Sequence, residues 1–300
     1  MPRVRSTPPR FDVPQLTAHA LWWLWFLAFT GGWARLSSSA RGGLWLVGVA
    51  LVFWNYAVLH NHMHVAIARP RAVRWLVSRT LGLACGFPYR GYVIHHLNHH
   101  RFSDGPGDWG QRRRGEGAFG YCVRSVFAPW LWPFALMKAV WRSAARHGQR
   151  AELLLDFAVV DGTLLGLIIW RPTLGLSFWA LLLTGQICIH WLNLAAHFGT
   201  DPTCRDALAV TSTSRLYNHV FFNAGYHQAH HVRPHVPWFE LPSFTRELAS
   251  RGQVRPGLVS PFAPIHPRWV ARVAKQYSAR LCDARTDSTT TSEAPSVDIS

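Results

Sequence analysis

The chain has 300 residues, of which 49% are hydrophobic and only 15% charged, whereas soluble domains typically carry about 25% charged residues. This balance, together with 16 tryptophans, argues against an ordinary soluble protein and favours a membrane protein. The charge is basic, with 31 Lys and Arg against 15 Asp and Glu, but the arginines flank apolar runs, which argues against nucleic-acid binding.

The first predicted elements are two apolar runs after a basic, proline-containing N-terminal tail, residues 1–17. No small-residue cleavage site follows the tail, so the first run is interpreted as an anchor and not as a removed signal peptide. Residues 18–36 and 43–59 are each near the ~20 residues that cross a bilayer. The short connector, residues 37–42, predicts that the two runs form a helical hairpin.

A long basic segment, residues 65–150, follows this hairpin and holds 14 Lys and Arg. Its Gly- and Asp-rich part, residues 103–117, is predicted to be a loop. Residues 72–83 and 119–144 are predicted to be amphipathic helices at the membrane interface. The second of these carries the interfacial tryptophans Trp130, Trp132 and Trp141.

A second predicted hairpin consists of residues 153–170 and 174–196, joined by a tight turn at residues 171–173. Lys and Arg are concentrated in the tail and the middle segment and are scarce in the two hairpin turns, which predicts cytoplasmic termini. We therefore predict an all-α membrane protein with four transmembrane helices in two hairpins and a cytoplasmic helical cap. The membrane domain would span residues 18–268, and the C-terminal tail, residues 269–300, would end in disorder.

Fifteen of the 17 histidines lie between His60 and His235, and most fall in three clusters beside predicted span ends. Side chains three or four residues apart share a helix face, so each cluster directs imidazoles into one volume. Imidazole suits iron, zinc and copper, and eight such ligands are too many for one ion, so two metal ions are predicted. The clusters are His60 and His64, then His96, His99 and His100, then His227, His230 and His231.

Several other polar residues have both a structural and a functional interpretation. His62, His95, His190, His219 and His235 fit hydrogen-bonded structural histidines, although His190 fits a pocket wall as well. Six polar residues fit two roles equally well, capping a loop or orienting a metal ligand. Asp201 and Asn223 are the preferred candidates for orienting a ligand. Asp156 is expected to reach water, and Asp161 to face the helix bundle or a substrate channel. The six residues are Asn98, Asp104, Asp108, Asp201, Asn218 and Asn223.

The three clusters resemble the histidine boxes of the membrane fatty acid desaturase superfamily, which includes desaturases, membrane hydroxylases and bacterial carotenoid ketolases. The order and spacing match over about residues 44–241, and Asn193 with His197 matches the family's N-x-x-x-H element. The resemblance implies two iron ions (Fe²⁺), with Asn193 reaching the second through water. It assigns His60, His64, His96, His100 and His231 to one iron, and His99, His197, His227 and His230 to the other.

The resemblance also implies that O2 is the co-substrate and that hydrogen is removed from an unactivated C–H bond of a lipid or acyl substrate. Loss of a second hydrogen gives an alkene, and oxygen rebound gives an alcohol. A fatty acyl desaturase is the leading interpretation. The alternatives are a hydroxylase or ketolase of a lipid, carotenoid or terpenoid, and, less favoured, a non-enzymatic metal- or haem-binding membrane protein. The cytochrome b5 signature H-P-G-G is absent, so a separate electron donor, of ferredoxin or cytochrome b5 type, is expected.

Overall fold

The computed structural model describes residues 9–68, 70–113, 115–131, 136–272 and 275 of the chain. Within these ranges the protein is mostly helical and has very little strand, which confirms the predicted α class. One short parallel pairing joins β1 (Thr211–Ser212) to β2 (Val259–Ser260). The helices are α1 (Pro9–Gly32), α2 (Ser38–His64), α3 (Arg71–Cys85), α4 (Tyr89–Phe102), α5 (Ala118–Leu131), α6 (Leu136–Arg146), α7 (Arg150–Trp170), α8 (Pro172–Ala196), α9 (Arg215–Val220), α10 (His227–Val232) and α11 (Leu241–Ser250).

Three helices of the described chain, α2, α7 and α8, are long and apolar enough to cross a membrane. They correspond to three of the four predicted spans, and α2 continues five residues beyond the predicted end, through His64. Helix α1 begins at Pro9 instead of residue 18, and its first half carries Arg10, Asp12 and His19. With these polar residues α1 is less apolar than α2, α7 and α8, and it is not among the three helices that qualify as spans. The prediction of four spans is therefore not confirmed.

Glycines allow α2 to pack closely against both α1 and α8. A Cβ atom at Gly48 would lie 2.2 Å from Trp25 of α1, and one at Gly185 would lie 2.4 Å from Val52 of α2. Small residues at such contacts let apolar helices approach within van der Waals distance. The packing places the C-terminal ends of α2 and α8 side by side, which brings the first histidine cluster close to His197.

Asp156 of α7 fixes the beginning of α4, the helix that carries the second histidine cluster. Its carboxylate accepts a hydrogen bond from the backbone N–H of Arg90 at 2.6 Å and lies 3.4 Å from Nε of Arg79. The first N–H groups of a helix have no partner within the helix, and a carboxylate there is stabilising. The Asp156 side chain is only 1% exposed, so the expectation that it reaches water is wrong.

The middle segment follows the predicted pattern over its described residues. The loop predicted at residues 103–117 separates α4 from α5, and the predicted helix at 72–83 lies within α3. Within segment 119–144 the described residues form α5 and α6, and residues 132–135 between them lie outside the described part of the chain. Trp132 and the side chain of Trp130 lie outside the described residues, as do residues 1–8 of the N-terminal tail and the C-terminal segment predicted to be disordered.

The third histidine cluster occupies a short helix of its own. Residues 215–232 form two six-residue helices, α9 and α10, separated by a turn in which Phe222 and Asn223 have positive φ angles of 50° and 58°. Gln228 of α10 accepts a hydrogen bond from the N–H of Ala209 at 2.9 Å and donates to the carbonyl of Arg205 at 2.8 Å. These bonds tie the short helix to the segment that follows α8.

Candidate metal centre

The structure brings nine predicted histidines together in two adjacent groups. Within each group, one ring nitrogen from every histidine lies within 4.8 Å of the others. The five-histidine group draws on α2, α4 and α10, and the four-histidine group on α4, α10 and the residue after α8. The five-histidine group is His60, His64, His96, His100 and His230, and the four-histidine group is His99, His197, His227 and His231.

Helical spacing explains how α4 serves both groups. Successive residues of an α-helix are rotated by about 100°, so positions four apart nearly eclipse while their neighbours point elsewhere. His96 and His100 therefore point to the five-histidine group, with their Nε2 atoms 2.9 Å apart. His99, one position earlier than His100, turns to the four-histidine group, where its Nε2 lies 3.0 Å from Nε2 of His197.

The same geometry on α10 reverses one part of the predicted iron assignment. His230 Nε2 lies 3.0 Å from His100 Nε2, which places His230 in the five-histidine group. His231 lies with His197 and His227 in the four-histidine group. The assignment of His231 to the first iron and His230 to the second is therefore wrong. Positions 227 and 231 are about 40° apart around the helix and 227 and 230 about 60°, so His231 is the closer match to His227.

The donor sets fit metal ions. Nitrogens bound at about 2.1 Å to one ion lie about 3 Å apart when their bonds are at right angles, and the Nε2 atoms of His197 and His227 are 3.2 Å apart. Within the described chain, Nε2 of His60, His64 and His231 is buried without a hydrogen-bond partner. Buried nitrogen lone pairs that converge without partners fit an all-imidazole site for iron, zinc or copper.

Hydrogen bonds to the outer nitrogens orient three rings of the four-histidine group. Nδ1 of His99 lies 2.7 Å from a carboxylate oxygen of Asp108, and Nδ1 of His197 lies 3.0 Å from the carbonyl oxygen of Leu208. Nδ1 of His231 lies 3.1 Å from Oγ of Ser103. Because an ionised carboxylate and a carbonyl only accept, the proton of His99 and His197 resides on Nδ1 and the Nε2 lone pair faces the group interior.

Asp108 also organises the loop that follows α4. It accepts hydrogen bonds from the backbone N–H groups of Asp104 and Gly110, both at 2.8 Å. Burial raises the pKa of Asp108, but the hydrogen bond from His99, its electrostatic interaction with that ring and the two backbone N–H groups outweigh burial, so the pKa lies below its usual range. The carboxylate therefore stays ionised and holds His99 in one orientation.

The preferred orienting residues prove to be loop residues. Asp201 accepts hydrogen bonds from the N–H and hydroxyl of Thr203 at 2.9 and 2.7 Å. Asn223 donates to the carbonyl of Trp238 at 3.0 Å. Asn98 and Asn218 lie in helices α4 and α9, and they, like Asp104, bond to backbone groups of neighbouring segments. Of the six candidates, only Asp108 contacts a histidine of either group through a hydrogen bond in the described chain.

Sequence reasoning missed Tyr92, Ser103 and the Leu208 carbonyl as partners of the histidines. The Tyr92 hydroxyl donates to Tyr56 at 2.8 Å and lies 3.4 Å from Nδ1 of His96. Its position four residues before His96 is a usable sequence signal. Ser103 and Leu208 carry no comparable signal, because Ser103 is 128 residues from His231 along the chain and a carbonyl is not encoded by residue type.

The remaining predicted positions fall outside the two groups. Asn193 donates from Nδ2 to the hydroxyl of Tyr121 at 2.9 Å, and its contact with metal through water stays a prediction. His62 is structural, because Nε2 lies 3.0 Å from the Ser78 hydroxyl and Nδ1 accepts from the N–H of Ile67. His219 and His235 are exposed.

Burial keeps the clustered histidines neutral. It is the main cause that lowers the pKa of His227, His230 and His231 well below 6.5, and the neighbouring imidazoles lower it further. Burial and His99 lower the pKa of His197 to about 3. Metal binding requires deprotonated imidazole, so these residues hold their lone pairs available at neutral pH.

Two cavities reach the histidine groups from different sides. The larger, of about 180 Å³, runs between α4, α5, α6, α7 and α8, and the smaller is about 70 Å³. Tyr56, His96 and Asn193 line both cavities, so the two meet beside the five-histidine group. Asp161 lines the larger cavity, as expected for a residue facing a channel. The apolar lining of that cavity includes Phe87, Val126, Leu136, Met137, Phe157 and Ile189.

Comparison with known proteins agrees with this geometry. The family model described as fatty acid desaturase matches residues 37–254. The β-carotene ketolase of Paracoccus sp. (strain PC1) is 29% identical over 245 residues, which is 77% of this chain and 90% of the ketolase. The β-carotene ketolase of Paracoccus sp. (strain N81106 / MBIC 01143) is 28% identical over 240 residues, which is 76% of this chain and 85% of that ketolase. With its three apolar helices and its boxed histidines within the matched region, this chain is an integral membrane protein and belongs to the fatty acid desaturase family.

Proposed function

We propose that the protein is a di-iron, O2-dependent ketolase that converts a ring methylene of a carotenoid to a ketone, with β-carotene as the test substrate. The observation that carries the proposal is the pair of histidine groups at the meeting point of two cavities, one of them mostly apolar. The two relatives, both β-carotene ketolases matched over most of their length, favour this alternative over the fatty acyl desaturase that led the sequence-based predictions.

The five-histidine group would hold one iron ion and the four-histidine group the other, with Asn193 reaching the second ion through water. When bound, the ions supply O2 reduction and removal of hydrogen from the substrate C–H bond. Imidazole ligands resist oxidation better than thiolates, which suits this chemistry. Asp108, Ser103 and the Leu208 carbonyl hold three of the rings in the orientation that points Nε2 inward.

The cavity walls bind the substrate and exclude water. An apolar lining favours a hydrocarbon end group and keeps competing proton donors away from the oxidised site. We assign the reacting ring to the junction beside Tyr56 and His96, where both cavities open onto the five-histidine group. Tyr56 and Tyr92, hydrogen-bonded to each other at 2.8 Å, keep this junction rigid.

Conversion of a methylene to a ketone requires two successive oxygen insertions. Each insertion consumes one O2, two electrons and two protons, places one oxygen atom in the C–H bond and releases one water. The second insertion gives a geminal diol, which loses water to form the ketone. A separate electron-donor protein supplies these electrons.

An acidic donor of the ferredoxin type fits the charge around the site. Arg101 and Arg233 are exposed directly after His100 and the third cluster, and Arg113 is exposed in the loop that Asp108 organises. Complementary charge accelerates encounter and is screened by salt. Turnover with reduced ferredoxin is therefore expected to fall as ionic strength rises, and salt-independent turnover would contradict electrostatic docking.

The proposed orientation places both termini and the histidine groups on the cytoplasmic side, with α1 as a fourth span. The turns at the opposite ends of the helices carry only Arg35, Arg41 and Arg171, and cytoplasmic segments are those enriched in Lys and Arg. Cysteine labelling of intact cells at residue 38 and at residue 113 tests this arrangement. Only residue 38 is expected to react with a membrane-impermeant reagent.

Expression in a host that accumulates β-carotene tests the proposed reaction. We expect keto-carotenoids by chromatography and mass spectrometry, and none with His230→Ala. The matched control is His219→Ala, which removes an exposed histidine outside both groups. New double bonds in host fatty acids, with unchanged carotenoids, would restore the desaturase interpretation and contradict ketolation.

A further inference from the structure

Two residues in the wall of the larger cavity carry buried polar atoms that the proposed reaction does not use. Oγ of Ser125 on α5 and Nε2 of His190 on α8 are buried and have no hydrogen-bond partner within the described chain. Both residues line this cavity. Buried polar groups are almost always hydrogen-bonded, and each exception calls for an explanation such as a missing ligand.

The two residues lie outside the histidine groups but line the same cavity as His96 and His99. His190 precedes His197 by seven residues on α8, which is two turns or about 10 Å along the helix axis. Aromatic rings surround it, with the centroids of Phe87 and Tyr121 at 6.5 and 6.4 Å from that of His190. Nε2 of His190 therefore keeps an unused hydrogen-bonding capacity within the described chain.

The charges around the cavity indicate a neutral ligand. Arg124 lines the wall, but it is paired with Glu116 through Nε–Oε1 at 2.6 Å and a second bond at 2.8 Å. Asp161 lines the same cavity, and its carboxylate disfavours an anionic group of a ligand there. A carboxylate or phosphate would thus find no unpaired cation among the described lining residues, whereas a hydroxyl can donate to one group and accept from another.

We infer that Ser125 and His190 form a subsite for a hydroxyl group on the substrate. The inference rests on the proposed function, in which the substrate is a carotenoid, and it specifies that the preferred carotenoid is already hydroxylated. A hydroxylation reaction must then precede this protein's reaction. The Ser125 hydroxyl and His190 Nε2 bond to the substrate oxygen, and this contact selects hydroxylated over unsubstituted end groups without touching the metal-binding residues.

Equilibrium binding of the two carotenoids tests the subsite without requiring turnover. The purified full chain in detergent is titrated with β-carotene and with its ring-hydroxylated derivative, and quenching of tryptophan fluorescence reports each Kd. The wild type is expected to bind the hydroxylated derivative roughly tenfold more tightly, as for one buried hydrogen bond. Ser125→Ala and His190→Phe, which remove the polar atom and largely keep the volume, are each expected to lower this preference severalfold.

Matched variants control for general effects of removing a hydroxyl. Thr184→Val alters α8 where the hydroxyl bonds to the carbonyl of Ala180, and Ser143→Ala alters α6; neither residue lines a cavity described above. Both are expected to keep the wild-type preference. If one test variant misfolds by circular dichroism, the other decides the outcome.

Two results would overturn the subsite: equal affinities in the wild type, or a full preference retained in Ser125→Ala and His190→Phe. Either leaves ketolation of β-carotene intact. If neither carotenoid binds, the proposed substrate class fails, and the pair hexadecane and hexadecanol then tests the subsite alone. A preference for the alcohol that the two variants lose would support the subsite, and its absence would overturn it.

Discussion

The two histidine groups are held in place by different means. In the four-histidine group, three outer nitrogens bond to Asp108, Ser103 and the Leu208 carbonyl. In the five-histidine group, the corresponding contact is a 3.4 Å approach of Tyr92 to His96, and Nδ1 of His100 is buried without a partner in the described chain. The four-histidine group is thus oriented by hydrogen bonds to loop groups, and the five-histidine group by the packing that positions α2, α4 and α10 in the fold.

This difference teaches where each group is vulnerable. Hydrogen-bonded ligands depend on single residues in a loop, so one substitution outside the ligand set is able to misorient a ring. Ligands set by helix packing depend on many contacts, and single substitutions beyond the ligands have smaller effects. The predictions below probe this contrast.

The largest expected effect is removal of a ligand from either group. His197→Ala and His230→Ala are each expected to reduce turnover at least about 100-fold, because each opens one proposed metal site. Iron content should fall from about two towards one per chain, measured by inductively coupled plasma mass spectrometry. Near-normal turnover in His197→Ala would remove that residue from the proposed ligands, and near-stoichiometric zinc in iron-replete wild-type protein would contradict the di-iron assignment.

Asp108→Asn keeps all the ligands but is expected to disturb the four-histidine group and not the five-histidine group. The amide keeps the size but loses the charge that fixes the His99 proton, so a roughly 10- to 100-fold loss of activity or metal affinity is expected. The matched control is Asp104→Asn, which alters a loop carboxylate bonded to the N–H of Arg112. Equal losses in the two variants would show that loop stability, and not His99 orientation, is responsible.

Acid should destabilise the metal-free protein. The folded-state pKa values of His227, His230 and His231 lie well below 6.5, the value expected when unfolded. As pH falls through about 6.5, the unfolded state takes up protons first, so stability is lost at about 1.4 kcal/mol per pH unit for each such histidine. We expect Tm of the chelator-treated protein to fall between about pH 7 and pH 5. A constant Tm over this range would contradict the buried, neutral state.

The smallest expected effect is removal of the hydroxyls beside the rings. Ser103→Ala is expected to lower turnover about threefold to tenfold, as for one hydrogen bond to His231. Tyr92→Phe should cost less, because its contact to His96 is longer and α4 itself fixes that ring. Steady-state kinetics compares the turnover of Ser103→Ala and Tyr92→Phe, with Ser143→Ala as a control. A larger loss in Tyr92→Phe would reverse the contrast between the groups.

Much of the architecture was predictable because its signals are local. The apolar length of α2, α7 and α8 is visible in the sequence, and so is the loop between α4 and α5. Helix α1 was less predictable, because its polar first half, with Arg10 and Asp12, resembles a tail by composition. The environment of Asp156 was not predicted either. The sequence shows a carboxylate near a span end, but it does not show that the first backbone N–H groups of α4 lie beside this carboxylate.

The sequence alone identified the clustered histidines, since three- and four-residue spacing on a helix directs side chains towards one side. The tertiary structure decided how they divide, because the rotation of α10 relative to α2 and α4 sends His230 to one group and His231 to the other. It also placed Asp108, and not Asp201, beside His99, and it brought Ser125 and His190 into the wall of one cavity. Contacts such as His99 to His197, 98 residues apart, depend on how helices pack, and helical periodicity carries no information about that packing.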